Sequence, residues 1–126
     1  MVTYDEYLKN VLDNILDSYN NLNELSDKSG DLEIIKKELL TINGYFQVLI
    51  KKLGTVNYRS DDLLELKSKI SHYLESYYFE REIEIMSPLY SEDPNRIRNI
   101  RFKILEALND KKLTEKIRDI LGELND

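Results

Sequence analysis

Between Asp31 and Gly54, the residues Leu32, Ile35, Leu39, Ile42, Phe46, Leu49 and Leu53 recur at alternating steps of three and four. This is a heptad stripe, the spacing that keeps apolar side chains on one side of an α-helix. An aspartate able to cap stands at its start, and a glycine able to take a left-handed conformation stands at its end. Ile34, Leu40, Val48 and Ile50 widen the stripe beyond a single face. A helix of this kind needs at least two neighbours and is expected at the centre of a bundle.

The rest of the chain supplies those neighbours. Thr3-Tyr4-Asp5-Glu6 has the form of a capping box and opens a first helix with Tyr4, Leu8, Val11, Ile15, Leu22 and Leu25 on its stripe. Ser18 interrupts that stripe, while Leu12, Leu16 and Tyr19 keep it broad. The polar segment Ser26 to Gly30 suits a tight antiparallel turn. Asn43-Gly44 falls in mid-stripe of the second helix. Its glycine permits either close helix approach, the preferred reading, or a kink. After the linker Thr55 to Arg59, Ser60 is placed to cap a third helix with Leu63, Leu66, Ile70, Leu74 and Tyr77 inward. Ile83 and Ile85 alternate with acids in a strand-like way, but with no second strand in view, a continuous helix stopping before Pro88 is expected. Asp93-Pro94 restarts a fourth helix, as cap and first helical residue, with Ile97, Ile100, Ile104, Leu105 and Leu108 inward. A short helix after Thr114 carries Ile117, Ile120, Leu121 and Leu124. The expected fold is one all-α domain over 1–126, an antiparallel bundle of four long helices plus a short C-terminal helix, at about 4–26, 32–53, 61–86, 94–109 and 115–124.

Composition narrows the function classes. At 126 residues with 41% hydrophobic and 33% charged content, the chain has enough material for one core and too much Leu and Ile for a disordered chain. No apolar run reaches the ~18 residues that would span a bilayer, and the N-terminus has no basic flank or apolar core. The expectation is an intracellular, cytoplasmic protein with no membrane partner. The sequence has no cysteine and one histidine, His72, which removes thiolate catalysis and the common cysteine and histidine metal sites. No glycine-rich phosphate loop occurs. Glu80, Glu82, Glu84 and His72 are the candidates for acid and base work, and they read as surface groups. No catalytic, metal or cofactor site is expected.

Two features point to interaction. The first is the aromatic cluster Tyr73, Tyr77, Tyr78 and Phe79, in a chain of nine tyrosines and no tryptophan, since tyrosine serves both core edges and protein interfaces. The second is charge. The net charge is −6, yet residues 94–118 hold eight Lys/Arg against three acids, while residues 1–93 hold ten against eighteen. The fourth helix, with Arg96, Arg98, Arg101 and Lys103, either docks on acidic parts of the chain or meets an outside partner. Residues 73, 77, 78, 79, 96, 98, 101 and 103 are therefore the interface candidates. The expected function is a non-enzymatic interaction or assembly subunit, with a protein partner or a homo-oligomer. The alternative is a nucleic-acid-associated protein contacting phosphates through residues 96–118.

At Tyr45-Phe46, and again from Leu74 to Ile85, the chain resembles the helical A domain of GINS replication-complex subunits. The family carries an aromatic pair on one helix and a later helix ending in a basic motif. That motif falls here either on Arg81-Glu82-Ile83-Glu84-Ile85, with Glu84 in place of lysine, or on Arg101-Phe102-Lys103-Ile104 followed by Ala107. The likeness covers residues 40–110 at most, without the family's small β-rich domain. It implies a non-catalytic scaffold that assembles with similar helical subunits in DNA replication or another nucleic-acid-processing complex.

Overall fold

The computed structural model describes residues 4–55 and 61–124. They form six α-helices, α1 Tyr4–Glu24, α2 Asp31–Thr55, α3 Asp61–Ser76, α4 Phe79–Tyr90, α5 Pro94–Asn109 and α6 Leu113–Leu124, with a 3-10 turn at Asp110–Lys112. Among the described residues there is no strand, and residues 83–86 are helical. The expected Thr3 cap, the linker beyond Thr55 and the Ser60 cap lie outside the described residues.

All seven stripe residues of α2 are buried, with Phe46 fully enclosed. The helix packs against α1, α3, α4 and α5. Burial of each such side chain contributes roughly 1.5–3 kcal/mol, so this stripe is a large part of what holds the bundle together. Ile34 and Leu40, which widen the stripe in sequence, instead face outward. On α1, Leu8, Val11, Leu12, Ile15 and Leu22 are buried, and Ser18 fills its place in the row as a small buried side chain. Helix α6 lies against α1, α3 and α5, burying Leu113, Ile117, Ile120 and Leu121.

The turn before α2 uses different chemistry from a simple aspartate cap. Gly30 has φ +93°, and the Asp31 amide donates to the Lys28 carbonyl at 3.0 Å. A glycine with positive φ at the third position is the requirement of a type II turn. The Asp31 carboxylate then reaches back to accept from the Lys28 amide at 3.1 Å. Gly54 does not end α2, which runs one residue past it.

The expected third helix, 61–86, is two helices. Tyr78 leaves the helical region, with φ −128° and ψ 52°, and α4 starts afresh at Phe79. The reason is register. At 3.6 residues per turn, a helix continued from buried Tyr73 would bring Glu80 and Glu84 round to the core side and leave Phe79 and Ile83 about 100° away. The break rotates the chain so that Phe79 and Ile83 are buried and both glutamates are exposed. Helix α4 also continues through Pro88 to Tyr90 instead of stopping before it. The proline is exposed and lies in the last turns, where the carbonyl it leaves unpaired can turn to water.

At Asp93-Pro94 the expected cap is present. The Asp93 carboxylate accepts from the amides of Asn95 at 3.0 Å and Arg96 at 3.4 Å. The final helix begins at Leu113, two residues earlier than its predicted start. Thr114 lies inside it and donates its hydroxyl to the Leu108 carbonyl at 2.7 Å, near the end of α5. Lys111 and Lys112, with φ 53° and 61°, make the sharp turn between the two helices.

Candidate interaction surface

Three of the eight interface candidates are inside the molecule. Tyr73 is 2% exposed. Its ring meets Phe46 edge-on at 5.3 Å, and its hydroxyl donates to Asn43 Oδ1 at 3.0 Å. Burial, with the charge of Glu80 beside it, pushes the phenol far up. Phe79 is buried and stacks on Tyr77 at 5.3 Å, with the ring planes 11° apart. Tyr77 is half-buried and donates to Asp110 Oδ2 at 3.1 Å. Its phenol is raised by burial and by the bond to that carboxylate. The aromatic cluster is therefore mostly an internal ladder joining α2, α3 and α4. Tyr78 alone is strongly exposed, at 69%, its hydroxyl bonded to the Glu75 carbonyl.

Arg101 is the third correction. It is 7% exposed, because positions 97, 101, 104 and 108 share the inward face of α5. Its Nε and Nη2 donate to the two carboxylate oxygens of Asp27 at 2.6 and 2.9 Å, and Nη1 donates to the carbonyls of Leu22 and Asn23 at 3.2 Å. The guanidinium thus closes the C-terminal end of α1, where orphan carbonyls and the helix dipole favour a cation. Asp27 adopts φ 64° to present its carboxylate, a conformation aspartate tolerates better than most residues. Lys116 is also used internally, bridging Asp62 and Glu65 of α3 at 2.7 Å each. Part of the basic segment thus satisfies the chain's own acids.

What α4 and α5 leave outside is a different set. Ile85 is 61% exposed, Leu89 71% and Phe102 48%. The two helices are joined by only residues 91–93 and run antiparallel. Phe79 and Glu82 lie across from Lys103, Glu106 and Asp110, and the Arg96 guanidinium sits 4.4 Å from the Tyr90 ring centre near the turn. Between them lies a groove of about 530 Å³ whose lining includes Ile85, Met86, Ile100 and Phe102. Glu82 and Glu106 stand at its open end, Lys103 beside them, and Arg96 toward the turn. Arg98 is exposed and bonded to Asn95 at 2.6 Å. Ile85, Leu89 and Phe102 were not among the sequence candidates. Their signal was present, since once Ile83 and Arg101 are assigned to the core, Ile85 and Phe102 must point elsewhere.

Asn43 was singled out for its neighbour Gly44, yet the asparagine makes the contacts. It accepts from Tyr73 and donates Nδ2 to Glu80 Oε1 at 3.1 Å, tying α2 to α3 and α4. Gly44 is exposed, and an added Cβ would meet nothing within 4 Å, so close helix approach is not its role.

His72 faces Asp110 Oδ2 at 3.3 Å through Nε2 and Ser76 Oγ at 3.5 Å through Nδ1. The order of serine, imidazole and carboxylate has the outline of a nucleophile relay. However, the serine contact is at the limit of a hydrogen bond, and the same carboxylate oxygen already receives Tyr77. Chemically the group fastens the end of α3 to the end of α5. Among the described residues, no cluster of acidic or histidine side chains is arranged to hold a metal ion, and no helix is long and apolar enough to cross a membrane. No protein-family model matches the chain, and no curated protein or solved structure resembles it at a significant level.

Proposed function

We propose that this chain is a non-enzymatic interaction or assembly subunit, and that its partner-binding face is the one shared by α4 and α5. The observation that supports this reading is the pairing of exposed Ile85 and Phe102 in an open groove rimmed by both acids and bases, with exposed Leu89 one turn along α4 from Ile85. Contiguous exposed apolar surface with a polar rim is the usual anatomy of a protein interface. Tyr73, Phe79 and Arg101, three of the eight candidates expected for this role, instead belong to the scaffold that presents it.

Photocrosslinking in the native cell tests the reading. With Phe102 replaced by benzoylphenylalanine, protein adducts are expected. The same residue in place of exposed Asp17, on the polar face of α1, should give none. Equal labelling at both positions, or none at 102, would remove the proposal. Binding to duplex DNA that falls steeply with salt and is lost in Arg98→Glu would replace it with the phosphate-binding alternative.

A further inference from the structure

We propose that the occupant of the α4 and α5 groove is a second copy of this chain, packed across a two-fold axis; this rests on the interaction reading above. The argument is the distribution of charge along the hairpin. Of the groove's own lining, the turn end carries Arg96, held over the Tyr90 ring, while the turn acids are engaged elsewhere, Glu92 with Ser29 and Asp93 as the cap of α5; the open end carries Glu82 and Glu106 with Lys103 beside them. The apolar residues Ile85 and Phe102 lie between the two ends. A surface with a basic end, an apolar middle and an acidic end is complementary to itself when one copy is turned end for end. In that arrangement each Arg96 meets the other copy's acidic end, and the apolar middles coincide. This is the pattern an isologous dimer requires, because every contact is made twice.

A parallel arrangement would set arginine against arginine and glutamate against glutamate. The charges therefore select the antiparallel orientation for such a pair. The twelve residues of α4 give a contact line only about 18 Å long. Two such helices side by side cover less than the ~800 Å² per partner of a tight complex. The dimer is thus a weak, reversible one.

Sedimentation equilibrium of the whole chain from micromolar to millimolar concentration tests the inference. The expected result is a monomer to dimer equilibrium, weakened at least ~10-fold by Phe102→Glu. Because the Phe102 ring centre lies 4.9 Å from the buried Arg101 guanidinium, Ile85→Glu is the second variant, expected to weaken the dimer similarly with unchanged circular dichroism since that side chain is 61% exposed. Arg96→Glu and Glu82→Lys should each weaken the dimer, and the double variant should recover most of the loss, which a merely structural effect would not do. A chain that stays monomeric to millimolar concentration overturns the second copy as occupant. So does a dimer indifferent to Phe102→Glu and to both charge reversals. Neither result touches the interaction reading, which is decided by the crosslinking and DNA-binding outcomes given above. An adduct at position 102 with a different protein would retain that reading and overturn this inference.

Discussion

Arg101 holds Asp27 by both carboxylate oxygens, at 2.6 and 2.9 Å, across 74 positions of sequence. The pair joins the turn after α1 to the middle of α5. The buried Asp31 carboxylate adds to the field that keeps the guanidinium charged, after the larger effect of the Asp27 bond.

Removing one partner should be costly. Arg101→Met leaves Asp27 without its counter-charge and frees the Leu22 and Asn23 carbonyls, and Asp27→Ala leaves the arginine buried alone. Each is expected to lower stability by about 3 kcal/mol. Arg101→Lys keeps the charge but cannot make the two-pronged contact, and should cost about half as much. Urea unfolding followed by circular dichroism reads all three, and a loss below ~1 kcal/mol for Arg101→Met would show the pair to be ornamental.

Gly44→Ala should stabilise the chain. The position is helical and exposed, with nothing near the added methyl, so only the backbone entropy of glycine is removed. The gain expected is about 1 kcal/mol, seen as a rise in melting temperature of several degrees for a domain of this size. A lower melting temperature would mean that the glycine has a packing role in the folded state.

Lys112 stands at φ 61°, immediately after Lys111 at 53°. A left-handed lysine costs about 1–2 kcal/mol that glycine does not incur, offset in part by the greater freedom of glycine in the unfolded chain. Lys112→Gly is therefore expected to raise stability by roughly 0.5 kcal/mol, and Lys112→Val to lower it. Thermal melts of the two variants should move in opposite directions.

The Lys116 clasp gives the stability curve a shape at both ends of the pH scale. Its bonds to Asp62 and Glu65 hold those carboxyls below their ordinary 3.8 and 4.5. The unfolded chain then binds more protons in the acid range, so this stabilisation is present above about pH 4.5 and lost as pH falls toward the depressed values. Asp110, lowered first by the Tyr77 bond and then by His72, acts in the same direction. Glu123, pushed up by Asp62, opposes them. Lys116 is itself raised by the same two partners, so its contribution is complete below its ordinary 10.5 and declines as pH climbs through the raised value. Lys116→Met should flatten the acid limb between pH 5 and 2 in urea titrations. An unaltered slope would show the clasp to be screened by solvent.

The core positions of the second and fourth predicted helices, and Leu8, Val11, Ile15 and Leu22 of the first, were legible because period and burial agree there: every stripe residue from Leu32 to Leu53 is inside, as are Ile97, Ile100, Ile104, Leu105 and Leu108. The cap at Asp93 was legible because a cap is local chemistry. The break at Tyr78 was not, since aromatic and acidic residues from 77 to 84 satisfy a helical pattern in more than one register, and only tertiary burial of Phe79 and Ile83 decides between them. Arg101 was not legible because its charge points to solvent while its position points inward. Its place in the row with Ile97, Ile104 and Leu108 marks it as inward, but its partner Asp27 lies in a distant turn that no periodicity points to. The exposed apolar set was hidden for the converse reason, because Ile85 and Phe102 look like core until the core is already full.

The interruption between Ser76 and Phe79 has a consequence for how this chain can vary. Connections between helices ordinarily absorb added or lost residues without harm, but here two positions set the rotation of everything as far as the next turn. Deleting one of them would rotate α4 by about 100°, turning Ile83 outward and its acids toward the interior, and the three residues that follow at 91–93 are too few to undo the change. Drift in length along this lineage should therefore be found elsewhere, and residues 77–78 should keep their number even where they change their identity.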